Sequence, residues 1–198
     1  MNKKKTLIVC ALKRETQGQL EDDYSVVYTG VGKINAAFHL QSKLGKIYDS
    51  YQKLPDLVIN YGTAGSRELP IGELIDCTKF TQRDMNVTSL GFMRGQTPFE
   101  KHIPIILDST KVEFNPIGKH CICGSGDNFA EDIENEMDYI DVFDMEAYAL
   151  AKVCYYYRVP FISFKYITDN VNEHSSKDWE ENCKNGIQIF KQEVLIAI

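Results

Sequence analysis

The sequence lacks any apolar run long enough to cross a membrane, and Lys13, Arg14 and Glu15 interrupt its first hydrophobic segment before a secretory signal could form. It also lacks a dense basic stripe, and its formal net charge of −6 argues against nucleic acid as the main partner. These absences predict a cytoplasmic protein with neither a membrane nor a nucleic-acid partner. Linkers, repeats and low-complexity segments are missing too, so we expect a single domain over residues 1–198.

Metal-binding patterns are also missing. The chain has 6 cysteines and 4 histidines, but no Cys-x-x-Cys pair and no histidine at metal-ligand spacing. Most of the cysteines lie in apolar segments, so we expect reduced, buried thiols rather than disulfides or zinc ligands. We therefore predict neither a metal nor a cofactor.

The usual nucleotide-binding loops are absent as well. Gly30-Val31-Gly32-Lys33 stands between a predicted strand and a predicted helix, where such loops occur. The Walker spacing is not present, and no third glycine completes the dinucleotide fingerprint. We expect these glycines to let the backbone approach a ligand or a neighbouring strand closely, and Lys33 to point to solvent.

The stretch from Asp141 to Asn170 is the most informative part of the chain. Helical spacing of apolar residues predicts a helix over Met145–Tyr157, which Pro160 cannot extend. The apolar run Phe161–Ile167 predicts a strand buried on both faces. This strand leads directly into Asp169, and open α/β sheets bind ligands at the carboxyl ends of such strands.

Strands and helices alternate along the rest of the chain, which predicts an α/β fold with three-layer packing. The other predicted strands are Thr6–Ala11, Ser25–Thr29, Leu57–Asn60, Ile71–Thr81 and Lys119–Cys123. The other predicted helices are Ile34–Tyr51, one from Phe129 to about Met137, and one from Ser175 onwards. Predicted turns and loops cover residues 12–15, the small residues 61–66, and the long segment Gln82–Glu100. Long loops without secondary structure are often functional in compact domains.

Three carboxylates, Glu15, Glu146 and Asp169, stand at predicted element boundaries. Together with the glycine-bearing turns they suit a small polar ligand with an attached ring. Each also has an ordinary interpretation: Glu15 as a solvated turn residue, Glu146 as a favourable charge at a helix N-terminus, and Asp169 as part of a loop. Phe129 at helical spacing is most often a core residue. These residues alone do not name a reaction.

Several short segments share their residues and their order with one enzyme family, and together they cover most of the chain. They are Ala11-Leu12-Lys13-Arg14-Glu15, Gly30-Val31-Gly32-Lys33-Ile34-Asn35-Ala36-Ala37, Ile59-Asn60-Tyr61-Gly62-Thr63-Ala64-Gly65, Gln82-Arg83-Asp84-Met85-Asn86-Val87-Thr88, Ser125-Gly126-Asp127-Asn128-Phe129, Met145-Glu146-Ala147 and Ile167-Thr168-Asp169. With these segments the sequence resembles the 5′-methylthioadenosine/S-adenosylhomocysteine nucleosidases, within the larger nucleoside phosphorylase family. The resemblance implies a three-layer α/β/α fold around a central mixed, twisted sheet.

The resemblance also implies the reaction: hydrolysis of the N-ribosyl bond of a 5′-modified adenosine, releasing adenine. By that resemblance Glu15 activates the attacking water, and Asp169 hydrogen-bonds the purine and helps to protonate N7. Glu146 holds the ribose hydroxyls, and Phe129 stacks on the base. The remaining implied substrate-binding residues are Val31, Thr63, Ala64, Gly65, Ala130, Met145 and Thr168.

The resemblance further implies a homodimer, in which each subunit lends apolar residues to the pocket of the other. Val87 and Leu90, in the long loop, occupy the matching stretch. Two positions depart from the family: Lys165 stands where an Arg is usual, and Arg83 where a His is common.

Two alternatives to the hydrolase remain. The first is a phosphorylase of the same fold that uses phosphate instead of water. Water is favoured, because Asn60 stands where related phosphorylases place an Arg, the side chain best suited to clamp phosphate. The second is a nucleoside-binding or regulatory protein without turnover, against which the presence of both Glu15 and Asp169 argues. The chemistry itself is coherent, since the leaving purine needs an acid and the water needs a base.

Overall fold

The computed structural model describes residues 5–100, 103–131 and 136–198. The strands are β1 (Thr6–Cys10), β2 (Ser25–Tyr28), β3 (Leu57–Ser66), β4 (Leu74–Gln82), β5 (Leu107–Asp108), β6 (Cys121–Ser125), β7 (Val142–Asp144) and β8 (Phe161–Asp169). The helices are α1 (Lys13–Thr16), α2 (Lys33–Tyr51), α3 (Ala147–Tyr157), α4 (Ser175–Asn182) and α5 (Ile187–Glu193), with 3₁₀ turns at Thr88–Leu90 and Leu195–Ala197.

The strands form one mixed sheet that partly closes on itself. β1 lies between β2 and β3, and all three are parallel. β8 lies parallel to β3 and antiparallel to β4. β4 then pairs with β6, β6 pairs with β7, and β7 returns to the last residues of β3. β3, β8, β4, β6 and β7 therefore form a ring, which β1 and β2 extend on one side. This mixed sheet confirms the predicted α/β class.

Helices cover both faces of the sheet, which gives three layers. In β1, Leu7 and Val9 belong to a core that includes residues of α2 and α3. Ile8 and Cys10 belong to a second core, on the other face, that includes Phe190 of α5. Because both faces of β1 are buried, nearly every residue of this strand is apolar, as is usual in sheets covered on both sides.

β3 is longer than the sequence predicts. The prediction ended the strand at Asn60 and assigned residues 61–66 to a turn, whereas the strand continues to Ser66. Residues 61–65 pair with β8 on one side, and Gly65 and Ser66 pair with β7 on the other. The prediction was wrong here because these ladders satisfy the backbone of a segment whose small, glycine-bearing composition is typical of turns.

Other boundaries also differ from the prediction. Residues 13–15 of the predicted turn belong to α1, which continues to Thr16. The single predicted C-terminal helix is divided into α4 and α5. Gly186 between them packs so tightly on Tyr166 that a Cβ at Gly186 would clash with the Tyr166 side chain. The short strands β5 and β7 were not predicted. Residues 129–131 and 136–137 of the predicted helix from Phe129 to Met137 are not helical, and its centre, 132–135, lies outside the described residues.

Of the helices in the described residues, none has the length and apolar character needed to cross a membrane. The 6 cysteines are free thiols, and all of them are buried.

Candidate active site

A cavity lies at the carboxyl ends of β1, β3 and β8, where the sequence predicted a ligand site. Parallel strands bring their carboxyl ends to the same edge, so residues distant in sequence meet there. Most of the residues proposed from the sequence line this cavity: Glu15, Val31, Thr63, Ala64, Gly65, Phe129, Ala130, Met145, Glu146 and Asp169.

Glu15 lies on α1, directly after β1, and its side chain is buried. One carboxylate oxygen, Oε1, accepts hydrogen bonds from the backbone N–H and from Oγ1 of Thr63, both at 3.0 Å. The other oxygen, Oε2, accepts the backbone N–H of Leu12 at 2.9 Å. Burial raises the pKa of Glu15, while these hydrogen bonds and the nearby Lys165 act in the opposite direction. A raised pKa makes Glu15 a stronger base than an exposed glutamate.

Asp169 is the last residue of β8, and it is also buried. Its Oδ1 accepts the backbone N–H of Val171 at 3.1 Å, and its Oδ2 accepts Thr168 Oγ1 at 3.0 Å. Burial raises the pKa of Asp169, and the hydrogen bonds from Ser175, Val171 and Thr168 oppose this. The carboxyl group is therefore closer to holding a proton at neutral pH than an exposed aspartate is.

Thr168 does not line the cavity, contrary to its predicted contact with the substrate. Its side chain is fully buried, and Oγ1 lies 3.4 Å from the carbonyl oxygen of Ala64 as well as 3.0 Å from Asp169. The β3–β8 register is irregular here: Ala64 pairs with Ile167 and Gly65 with Asp169, so Thr168 is skipped in the pairing with β3. Thr168 orients Asp169 instead.

Glu146 is the N-cap residue of α3 and lines the same cavity as Glu15. Its Oε1 accepts the backbone N–H of Gly32 at 2.8 Å. Burial and the neighbouring Asp144 raise the pKa of Glu146 to about 8, although Lys165 and the Gly32 hydrogen bond lower it.

A buried ion pair lies beneath these carboxylates. Lys165 Nζ is 2.7 Å from Asp144 Oδ2, and both side chains are 1% exposed. Asp144 also accepts hydrogen bonds from Ser125 Oγ and from the backbone N–H of Ala147. Burial works against both charges, yet the pKa of Asp144 is lowered and that of Lys165 is raised, because each stabilises the charged form of the other. The pair fixes the start of α3, and with it Glu146.

Sequence reasoning missed several cavity residues, of which Trp179 is the largest. Trp179 lies on α4, where the pattern predicted only a buried helix face. Its Nε1 donates to Thr63 Oγ1 at 2.9 Å, and the guanidinium of Arg14 lies 4.8 Å from the ring centre. Thr63 in turn donates to Glu15, so Trp179 is linked to that carboxylate. No local signal marks it, since its position depends on how α4 packs. The other missed lining residues are Ala11, Arg83, Asn128, Phe143 and Asp144.

Val87 and Leu90 lie outside the cavity of their own chain. Leu90, in the 3₁₀ turn, is 70% exposed, and Val87 precedes that turn. Their assignment to the pocket of a second subunit stays a prediction.

The family model of the phosphorylase superfamily matches residues 10–198 of this chain. A 5′-methylthioadenosine/S-adenosylhomocysteine nucleosidase from Buchnera aphidicola subsp. Schizaphis graminum is 30% identical, over 79% of this chain and 76% of the relative. The enzyme of the same name from Haemophilus ducreyi is also 30% identical, over 79% of this chain and 72% of the relative. The chain belongs to the 5′-methylthioadenosine/S-adenosylhomocysteine nucleosidase family.

Solved structures share the fold. A nucleosidase of this family from Colwellia psychrerythraea, in complex with adenine, has a TM-score of 0.73 at 21% identity and covers 92% of this chain and 89% of its own. The futalosine hydrolase of Helicobacter pylori has a TM-score of 0.78 at 19% identity, covering 99% of each chain. The fold is thus common to hydrolases named for different nucleosides.

Proposed function

We propose that this protein hydrolyses the N-ribosyl bond of a 5′-modified adenosine, such as 5′-methylthioadenosine or S-adenosylhomocysteine, and releases adenine. The observation that carries the proposal is that Glu15, Glu146 and Asp169 line one cavity and all have raised pKa values because they are buried. Cleavage of an N-ribosyl bond builds positive charge on the sugar, and carboxylates nearby stabilise that charge.

Glu15 is the proposed general base. Both of its carboxylate oxygens accept hydrogen bonds, one from Leu12 and the other from Thr63, so the carboxylate has a fixed orientation before substrate binds. Its raised pKa brings it nearer to neutrality, where a general base is most effective. A water between Glu15 and the sugar would lose its proton to this carboxylate as it attacks the anomeric carbon.

Asp169 is the proposed general acid, at the purine end of the cavity. The leaving base must gain a proton, and burial raises the pKa of Asp169 in the direction that favours this transfer. Phe129 and Ala130 line the same cavity and supply the stacking surface and the backbone edge for the base. Glu146 and Met145 then take the ribose, which lies between the acid and the base.

Water rather than phosphate is the proposed nucleophile. Asn60 does not face the cavity: its amide donates to the carbonyl of Val9 at 3.0 Å, and its Oδ1 accepts Ser163 Oγ at 2.7 Å. Lys165 is neutralised by Asp144. Among the described residues lining the cavity, the one cation is Arg83, and it is paired with Glu136. A phosphate dianion would therefore face Glu15 without the cationic clamp that it needs.

The test is to measure release of the free base from 5′-methylthioadenosine, S-adenosylhomocysteine, futalosine and adenosine in phosphate-free buffer, and again after phosphate is added. We expect release without phosphate, with free ribose or its 5′-substituted form as the other product. Release that requires phosphate and yields a sugar 1-phosphate would replace the hydrolase with a phosphorylase. Binding of these nucleosides without any release would favour the non-catalytic alternative.

We also propose a cytoplasmic homodimer that needs no cofactor. Ile34 and Phe38 lie one turn apart at the start of α2 and are 81% and 64% exposed. Val31, which lines the cavity, is 42% exposed, and Leu90 is 70% exposed. We propose that these exposed apolar side chains belong to one interface, since large exposed apolar patches usually mark interfaces. The six buried free thiols suit a reducing compartment.

The oligomeric state is tested by light scattering of the wild type and of a Phe38→Glu, Leu90→Glu variant. We expect a dimer for the wild type, and a monomer with reduced activity for the variant. A wild-type monomer with full activity at assay concentrations would refute the dimer, without affecting the proposed reaction.

A further inference from the structure

Lys33 does not point to solvent, contrary to the expectation from sequence. It is the first residue of α2, and its side chain is 16% exposed. Nζ lies 2.5 Å from Asp84 Oδ1 and 3.5 Å from Asp127 Oδ2. The backbone N–H of Lys33 donates to Asp127 Oδ1 at 2.8 Å, and the backbone N–H of Asp127 donates to Asp84 Oδ2 at 2.9 Å. Lys33, Asp84 and Asp127, here called the clasp, thus connect three chain segments.

The clasp joins two walls of the cavity. Asp127 directly precedes Asn128 and Phe129, which line the cavity at the proposed base end. On the other side, Lys33 directly follows Gly32, whose N–H donates to Glu146 Oε1 at 2.8 Å. Gly32 has a φ of 94°, which only glycine adopts readily. The backbone N–H of the next residue, Lys33, donates to Asp127, so the clasp holds the residue that directly follows this donor.

We propose that Lys33, Asp84 and Asp127 are positioning residues for catalysis, because they hold the Gly32 N–H against Glu146 and so fix the carboxylate that takes the ribose. This inference rests on the proposed role of Glu146. None of the three residues needs to touch the reacting atoms. Their effect reaches the substrate through one hydrogen bond to a buried carboxylate.

The clasp fixes the relative position of its residues more strictly than an ion pair on the surface does. Exposed pairs contribute roughly 0–1 kcal/mol and have no fixed orientation. In the clasp, two backbone N–H groups and one ammonium group converge on two carboxylates, which defines the relative position of the segments. Burial acts to raise the pKa of Asp84, yet hydrogen bonds from Lys33 and from the Asp127 N–H bring it below its ordinary value. Asp84 therefore stays ionised at neutral pH.

Breaking the clasp should also change the pH dependence of activity. The groups that act on Glu146 are Asp144 and Glu15, which raise its pKa, and Lys165 and the Gly32 N–H, which lower it. Loss of the Gly32 hydrogen bond removes one of the two influences that favour the ionised form. We expect the acid limb of kcat/KM to move to higher pH when the clasp is broken, since this limb reports ionisation in the free enzyme.

The test is a double-mutant cycle between Lys33→Met and Glu146→Gln, followed by kcat/KM for 5′-methylthioadenosine across pH. In the pH range where Glu146 is ionised, Lys33→Met in the wild-type background should lower kcat/KM about tenfold, the size of one weakened hydrogen bond to a charged group. In the Glu146→Gln background the same change should alter kcat/KM by less than about twofold, because its effect passes through Glu146. Lys53→Met is the matched control: it removes an exposed lysine paired with Asp56 at 2.9 Å, and should leave kcat/KM and its pH profile unchanged.

Equal losses in both backgrounds, or an acid limb that does not move, would overturn the proposal and leave the clasp as a stabilising ion cluster. Asp84→Asn gives a second approach from the other end of the clasp and should reproduce the effect of Lys33→Met. If the wild-type protein releases no base, the proposed function fails separately. In that case the Kd for 5′-methylthioadenosine is measured by calorimetry for the same four proteins of the cycle. An effect of Lys33→Met that disappears in the Glu146→Gln background supports the inference, and additive effects of the two substitutions refute it.

Discussion

A methyl group at Gly65 should disable the site while leaving the fold in place. Gly65 lies in β3, pairs with Asp169 of β8, and lines the cavity. A Cβ built at Gly65 would lie 2.5 Å from Asp169 Oδ1 and 2.9 Å from Val171 Cγ2. Both distances are too short, so Gly65→Ala must displace the carboxyl group of Asp169.

The size of the displacement sets the expected effect. Ordinary contact for a Cβ begins at 3.4 Å, so Asp169 Oδ1 must retreat by about 0.9 Å from its present 2.5 Å. A misplacement of about 1 Å in a catalytic group can cost on the order of 10²-fold in rate. Overpacking at a buried site costs about 1–3 kcal/mol of stability, which most single domains survive. We therefore expect a folded protein whose kcat is lower by about two orders of magnitude.

The assay compares kcat and Tm for wild type, Gly65→Ala and the control Gly45→Ala. Gly45 lies inside α2, and a Cβ there has nothing within 4 Å. The control should keep wild-type kcat, and should gain up to about 1 kcal/mol, because alanine is the better helix former. Gly65→Ala with near wild-type kcat would refute the argument that the close approach of β3 positions Asp169 for proton transfer.

Three further predictions concern the carboxylates themselves. Asp169→Asn keeps the size of the side chain but removes the acid, so kcat should fall by about 10²–10⁴-fold with little change in Tm; a near wild-type kcat contradicts the assignment. Glu15→Gln should lose hydrolysis yet still bind a transition-state-like inhibitor in calorimetry, whereas joint loss of binding and rate would make Glu15 a ligand anchor. Glu146 has its pKa raised from 4.5 to about 8 by burial and by Asp144. Because the native state then holds this proton more tightly than the unfolded state, wild type should lose stability relative to Glu146→Gln as pH rises through that interval. Urea unfolding across the interval checks this, and a constant difference would show an unshifted carboxyl.

Features that depend on residues close together in the chain can be predicted from the sequence. The apolar runs of β1 and β8 identify buried strands, and the polar residues after them, Glu15 and Asp169, lie at the predicted edge of the sheet. Helical spacing likewise gives α3, although the helix begins at Ala147 rather than Met145. These signals are readable because each depends only on residues a few positions apart. The motifs shared with the nucleosidase family indicated the reaction, which the spacing of residues alone did not.

Contacts between distant residues were decided by the tertiary structure. The strand character of residues 61–66 comes from pairing with β7 and β8, which overrides a composition typical of turns. The Lys165–Asp144 pair, the clasp at Lys33, and the hydrogen bond from Trp179 to Thr63 each join residues far apart in the chain. No periodicity encodes such pairs, because their energies depend on burial and on the direction of each side chain after packing. The order of residues along the chain places Glu15 and Asp169 at the edge of the sheet, and packing between distant segments selects the donors that orient them.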